Sequence, residues 1–156
     1  MKFETNSEAE TSEFGHFLGT QLKRPLTILL QGDLGAGKSV IARALARGLA
    51  IPEEIPITSP TFTLMNHYPA RIDLYHFDLY RLADAEELIE IGFDDFAHNA
   101  GIAIVEWPER LHDRNFDHLF LAIERLSANS RSIEARGYGE EPQALLMILE
   151  GWLASQ

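Results

Sequence analysis

The chain has 156 residues, 46% of them apolar, which suits one domain, 1–156, with a hydrophobic core of its own. Its 24 acidic residues outnumber 13 basic ones for a net charge of −11, which disfavours tight direct binding of nucleic acid, because that affinity comes largely from Lys and Arg displacing counterions. The absence of cysteine excludes disulfides, thiolate metal sites and cysteine nucleophiles. No run approaches the ~18 apolar residues of a membrane span, and Met1 to Glu13 is polar and acidic, unlike a signal peptide. The expectation is a cytoplasmic protein without a membrane contact. Arg110, Arg114 and Arg125 could form a local basic patch, and solvated helix faces account for them equally well.

In chain order, Ser7 and Glu10 have capping-box spacing, and Phe14, Phe17, Leu18 and Leu22 follow at helical intervals until Lys23, Arg24 and Pro25 end the element. Leu26 to Leu30 reads as a short buried strand. A Gly-rich loop follows, and Val40 to Leu49 returns to helical periodicity, with Gly48 near its end. Pro52, Pro56 and Pro60 punctuate a long irregular stretch, which inside a compact domain is more often functional than accidental. Phe62 to Tyr68 and Ile72 to Asp78 are expected strands joined through Pro69 and Ala70. Asp84 and Glu87 cap a helix over Ala85 to Ile91, and Gly92 suits its end. Ile102 to Val105 is a second buried apolar run, closing on Glu106. Leu119 to Leu126 and Ser132 to Tyr138 read as a hairpin around Ser127 to Arg131, and Pro142 opens a last helix through about Leu153. Strand, loop, helix and further apolar strands predict an α/β fold: a three-layer sandwich, its sheet mainly parallel with some antiparallel strands.

Residues 32 to 39 read Gly32-Asp33-Leu34-Gly35-Ala36-Gly37-Lys38-Ser39. Every fixed position of G-x-x-x-x-G-K-[ST] is met, a pattern expected by chance in about one such chain in two hundred. Glycines let the backbone curl so that several N–H groups converge on an anion. The helix that follows adds its free N–H groups and the positive end of its dipole. Lys38 brings an ammonium to the β- and γ-phosphates, and the Ser39 hydroxyl is a hard oxygen ligand for Mg²⁺. No asparagine is followed by lysine, so the guanine-reading Asn-Lys-x-Asp segment is missing and ATP is favoured.

A phosphate-binding loop needs acids for the metal and the attacking water. Glu106 sits at the end of an apolar strand, where a Walker B carboxylate belongs; a solvated strand-end carboxylate is the alternative. Asp78 could hold a metal-bound water or act as base, or could pair with Arg81. Thr61, in Thr58-Ser59-Pro60-Thr61, could sense the γ-phosphate as a switch residue or merely stabilise its turn. His76 reads best as a packed strand histidine.

Four segments in this order carry a resemblance: the loop just described, then Ser59-Pro60-Thr61-Phe62-Thr63-Leu64, then His76-Phe77-Asp78-Leu79-Tyr80-Arg81-Leu82, then Val105-Glu106-Trp107-Pro108. From about Ser7 to Arg136 the chain resembles the bacterial TsaE (YjeE) family, the ATPases of tRNA threonylcarbamoyladenosine biosynthesis. The resemblance implies that Ser39 and Glu106 serve Mg²⁺, that Asp78 belongs to a hydrolytic site with Lys38, and that Thr61 faces the γ-phosphate. It implies that Thr11 and Arg131 help flank the nucleotide, and it makes Trp107 a candidate functional aromatic. The family usually has two threonines after the loop lysine. Here Ser39 keeps the metal-binding hydroxyl, while Val40 removes one that would reach the α-phosphate. The family works on a complex of TsaB and TsaD, so an acidic protein acting through protein contacts is expected. A small P-loop kinase and a nucleotide-gated binding module are the rival readings; the kinase lacks a visible Arg-rich lid.

Overall fold

The computed structural model describes residues 1–97 and 99–156, Ala85 through its backbone alone. The strands are β1 (Lys2–Thr5), β2 (Leu26–Gln31), β3 (Met65–Tyr68), β4 (Leu74–Asp78), β5 (Ile102–Glu106), β6 (His118–Arg125) and β7 (Arg131–Tyr138). They form one sheet in the order β1-β7-β6-β2-β5-β4-β3. The pairings β6–β2, β2–β5 and β5–β4 are parallel, and those nearer the two edges, β1–β7, β7–β6 and β4–β3, are antiparallel. The helices are α1 (Glu8–Gln21), α2 (Lys38–Gly48), α3 (Ala85–Glu90), α4 (Phe93–Ala97) and α5 (Glu140–Ala154), with one 3-10 turn over Pro108–Arg110.

Strand alternation builds two cores, one on each face of the sheet. Ile28 and Leu30 of β2, Ile102 and Ile104 of β5, and Leu119 and Leu121 of β6 join Phe14, Leu18, Ile41, Leu45 and Leu149 from α1, α2 and α5. Their neighbours Leu29, Ala103 and Val105 point the other way, to Phe77, Leu88 and Phe93 under α3 and α4. This is the three-layer sandwich with a mixed sheet that the sequence predicts. Among the described residues no helix is long and apolar enough to cross a membrane.

Local chemistry explains most element ends. The Ser7 hydroxyl accepts from the Glu10 N–H at 3.1 Å, while the Glu10 carboxylate reaches back to the Asn6 N–H at 2.7 Å, one residue earlier than a capping box requires. Arg71 closes the other end of α1, donating to the carbonyls of Leu22 at 2.6 Å and Gly19 at 3.0 Å. Asp84 caps α3 through the Glu87 N–H at 3.2 Å. Helices α1 and α2 pack with almost no space between backbones. A Cβ on Gly19 would lie 2.9 Å from the Gly48 Cα, and one on Gly48 would lie 2.8 Å from the Gly19 Cα. Gly48 therefore ends α2 at the point of closest approach.

Three local features differ from expectation. Lys2–Thr5 is a strand, since the polar amino-terminal segment pairs with β7 at the sheet edge, where one face stays wet. β3 begins at Met65 rather than Phe62 because Leu64 takes a left-handed φ of 65° and its N–H bonds the Pro60 carbonyl at 2.8 Å, turning residues 61–64. α4, too short to show a helical period, goes unread in the sequence.

Candidate nucleotide site

Three strand ends and one loop make the site. In the parallel register Leu30 of β2 is level with Glu106 of β5, and Glu106 with Asp78 of β4. Adjacent strands run about 4.8 Å apart, so Asp78 and Glu106 stand side by side at the carboxyl edge of the sheet, in the crevice where α/β folds bind ligands. β2 runs into the Gly-rich loop, and α2 begins at Lys38 with its free N–H groups turned to the same place. Gly35 and Gly37 hold φ of 80° and 113°, a region other residues rarely adopt. The Ala36 N–H closes the loop on the Asp33 carbonyl at 3.0 Å. Arg131, at the start of β7, props the loop from outside, its Nε donating to the Ala36 carbonyl at 2.6 Å.

Lys38 is 6% exposed. Its ammonium donates to the Gly32 carbonyl and lies 3.8 Å from the centre of the Trp107 ring. Burial lowers its pKa below the usual lysine value, against the opposing pull of Glu106, Asp78, Glu109 and Asp33. An ammonium has three donors, and one carbonyl and one aromatic face leave it capacity for anionic oxygens. Trp107 itself takes a left-handed φ of 60°, uncommon for a bulky residue, and leans on Tyr80 with ring centres 4.9 Å apart.

Both carboxylates are nearly fully buried. Asp78 Oδ2 accepts from the Ser59 hydroxyl at 2.9 Å and the Thr61 hydroxyl at 3.3 Å, while Oδ1 accepts from the Tyr80 N–H at 2.9 Å. Arg81, the alternative partner for Asp78, lies instead over the Phe62 ring at 4.4 Å. His76 Nε2 lies 2.6 Å from Glu106 Oε2; an ionised carboxylate can only accept, which makes Nε2–H the donor.

A cavity of about 480 Å³ lies between the loop and these strand ends. It brings together Lys38, Ser39, Val40, Thr61, Asp78, Glu106 and Arg131 with Leu34, Gly35 and Gly37 of the loop. Gly32, Asp33 and Ala36 border a second hollow, on the loop's other side. Thr11 lines neither: it is 2% exposed on α1, its hydroxyl 2.7 Å from that of Thr5 and donating to the Ser7 carbonyl at 3.2 Å. Thr5 pairs with Arg131 across β1 and β7, so Thr11 stands behind the residue that props the loop. The sequence assigns Ser59 and Tyr80 no role and reads His76 as a packed strand histidine; it is indeed buried, and its ring also bonds Glu106. The parity of His76 and Asp78, two apart on one strand and facing the same way as Glu106, was the available signal.

The loop, a lysine with donors to spare, a hydroxyl and two carboxylates are hard, preorganised groups for a polyphosphate and a small cation. Among the described residues no cluster of three His, Asp or Glu side chains could hold a metal alone.

A buried parallel strand, this loop and the helix behind it define a protein of the P-loop NTPase-like class. Comparison with known proteins narrows it. The model of the family "Threonylcarbamoyl adenosine biosynthesis protein TsaE" matches residues 5–133. The tRNA threonylcarbamoyladenosine biosynthesis protein TsaE of Treponema pallidum is 41% identical over 111 residues, which cover 71% of this chain and 81% of that protein. The Nostoc protein of the same name is 48% identical over 65% of this chain and 64% of its own, and that of Bacillus subtilis 31% identical over 93% and 90%. The crystal structure of Bacillus subtilis YdiB superposes with a TM-score of 0.77 at 28% identity, covering 96% of this chain and 93% of that one. The chain belongs to the TsaE family, whose work is the biosynthesis of tRNA threonylcarbamoyladenosine.

Proposed function

We propose that this protein is a Mg²⁺-dependent ATPase whose hydrolysis supports turnover of the TsaB–TsaD threonylcarbamoyltransferase complex in the cytoplasm. The observation that carries the reading is the pair of level carboxylates, Asp78 and Glu106, facing Lys38 and Ser39 across one cavity. The loop amides and Lys38 bind the β- and γ-phosphates. Ser39 and Glu106 are the oxygens that would hold Mg²⁺, which when bound neutralises charge building on the phosphates. Asp78 positions the attacking water and takes up its proton as the bond from the γ-phosphorus to the bridging oxygen breaks, releasing ADP and phosphate. The Thr61 hydroxyl, 3.3 Å from Asp78, turns to the γ-phosphate and reports its presence in this reading. Arg131 flanks the nucleotide, backed by the buried Thr5 and Thr11 rather than joined by them, with Val40 beside the α-phosphate. The family membership supports the tRNA-modification setting, and the acidic surface suits a protein that acts through protein contacts rather than by holding tRNA itself.

The test is ATP hydrolysis by the purified protein, alone and with TsaB–TsaD, for wild type and Lys38→Ala. Slow hydrolysis alone, stimulation by the partners and loss of both in the variant is the expected result. Equal turnover with and without partners would reject the coupling. ATP-dependent docking with tRNA modification persisting in Asp78→Ala and Glu106→Ala would instead establish a nucleotide-gated binding module.

A further inference from the structure

We infer that His76 is a positioning residue that makes Glu106 present a single oxygen to the metal. The inference rests on the proposed reading of Glu106 as a ligand of the nucleotide-bound cation. His76 and Glu106 are 2% and 3% exposed, and their bond of 2.6 Å is the one hydrogen bond to the Glu106 carboxylate among the described residues. It occupies Oε2 and leaves Oε1 to the cavity.

The donor is rigidly held. His76 lies in β4 between Asn66 of β3 and Ile104 of β5, which fixes its backbone, and at 2% exposure its ring is closely packed. A histidine placed there for packing alone would be a poor choice. Its Nδ1 is buried with no hydrogen-bond partner among the described residues, a cost that leucine or phenylalanine would avoid. What histidine adds is the Nε2–H on Glu106. Partners of this kind orient a ligand and tune its hold on the metal. Denying Glu106 a bidentate grip suits a cation that demands near-octahedral geometry.

The same geometry separates the two carboxylates. Glu106 is held by a ring locked in the sheet. Asp78 is anchored through Oδ1 by the Tyr80 N–H, while its Oδ2 is met only by the hydroxyls of Ser59 and Thr61, which line the cavity and can exchange for water or phosphate. Glu106 therefore fixes the metal, and Asp78 is the group free to handle the proton of the attacking water.

The experiment is calorimetric titration of ADP into wild type, His76→Leu, His76→Gln and Glu106→Gln, first in EDTA and then across a Mg²⁺ series. Gln keeps a terminal N–H near the imidazole Nε2 position, whereas Leu removes it. His76→Leu should raise the Mg²⁺ needed for half-maximal tightening by about tenfold or more, with affinity in EDTA unchanged, and His76→Gln should restore most of the loss. An unaltered Mg²⁺ requirement in His76→Leu, or His76→Gln as impaired as His76→Leu, would overturn the positioning role. An unaltered requirement in Glu106→Gln would reject the metal-site reading itself, so the two failures are distinct. Nitrogen-15 spectra of the wild-type ring need no variant. A proton on Nε2, with a resonance that moves when Mg²⁺ joins the ADP complex, is expected; a proton on Nδ1 alone would refute the inference.

Discussion

Lys38 pulls binding and stability in opposite directions. Its ammonium is buried, a cost to the folded state that a bound phosphate, on the proposed reading, would offset. Lys38→Met keeps the stem and removes the charge, so the nucleotide-free variant should be at least as stable as wild type at pH 7 while losing all stabilisation by ADP. For wild type that stabilisation is about 2.7 kcal/mol at a hundred times Kd. The pH dependence has a definite sign. The folded pKa lies below the ordinary lysine value of 10.5, so between the two the unfolded chain holds a proton that the folded chain has released. Wild-type stability from this group therefore rises with pH across that window, and the advantage of Lys38→Met shrinks. Urea denaturation of both proteins at pH 7 and at pH 9.5 measures the difference; an advantage that grows with pH would reject the account.

Helices α1 and α2 set the loop's position, because α2 begins inside it and packs on α1 along its length. The contact at Gly19 and Gly48 allows that approach. Gly48→Ala improves helix propensity by up to about 1 kcal/mol, but its methyl group would meet the His16 carbonyl and the Gly19 backbone. Overpacking of this kind costs about 1–3 kcal/mol, so the net change should be destabilising. A gain in the denaturation midpoint would show that the helices separate freely. At the same end of α2, Arg47 donates to the carbonyls of Ile51, Pro52, Glu53 and Ile55. One side chain thereby ties down the start of the Pro-bracketed loop that delivers Ser59 and Thr61 to Asp78.

At the scale of the whole molecule, charge decides the manner of binding. With a net charge of −11, affinity of the isolated protein for tRNA at physiological salt should be weaker than about 100 µM, the weak end of non-specific binding. Fluorescence anisotropy with labelled tRNA checks this, and micromolar binding that falls with salt would reveal a basic face that the overall composition hides. The mixed sheet also has a clear division of labour: the parallel centre carries the ligand crevice, and the antiparallel edges, β1–β7 on one side and β3 on the other, support the loop and the Pro-bracketed segment.

The loop, its strand and its helix were legible in the sequence because their signals are local: fixed glycines, an apolar run, a helical period. Capping pairs at Ser7 and Asp84 were legible for the same reason. β1 was not, since a polar edge strand has no apolar pattern of its own and exists only through pairing with β7. The late start of β3 depends on a left-handed Leu64, which no propensity announces. At the site, the sequence singled out Lys38, Ser39, Asp78 and Glu106 one by one. Only the tertiary structure decided that Asp78 and Glu106 are level neighbours, that Lys38 rests on Trp107, and that a buried His76 grips Glu106. Those relations join residues that are distant in the chain, and they follow from parallel register and burial, which arise only when the strands assemble.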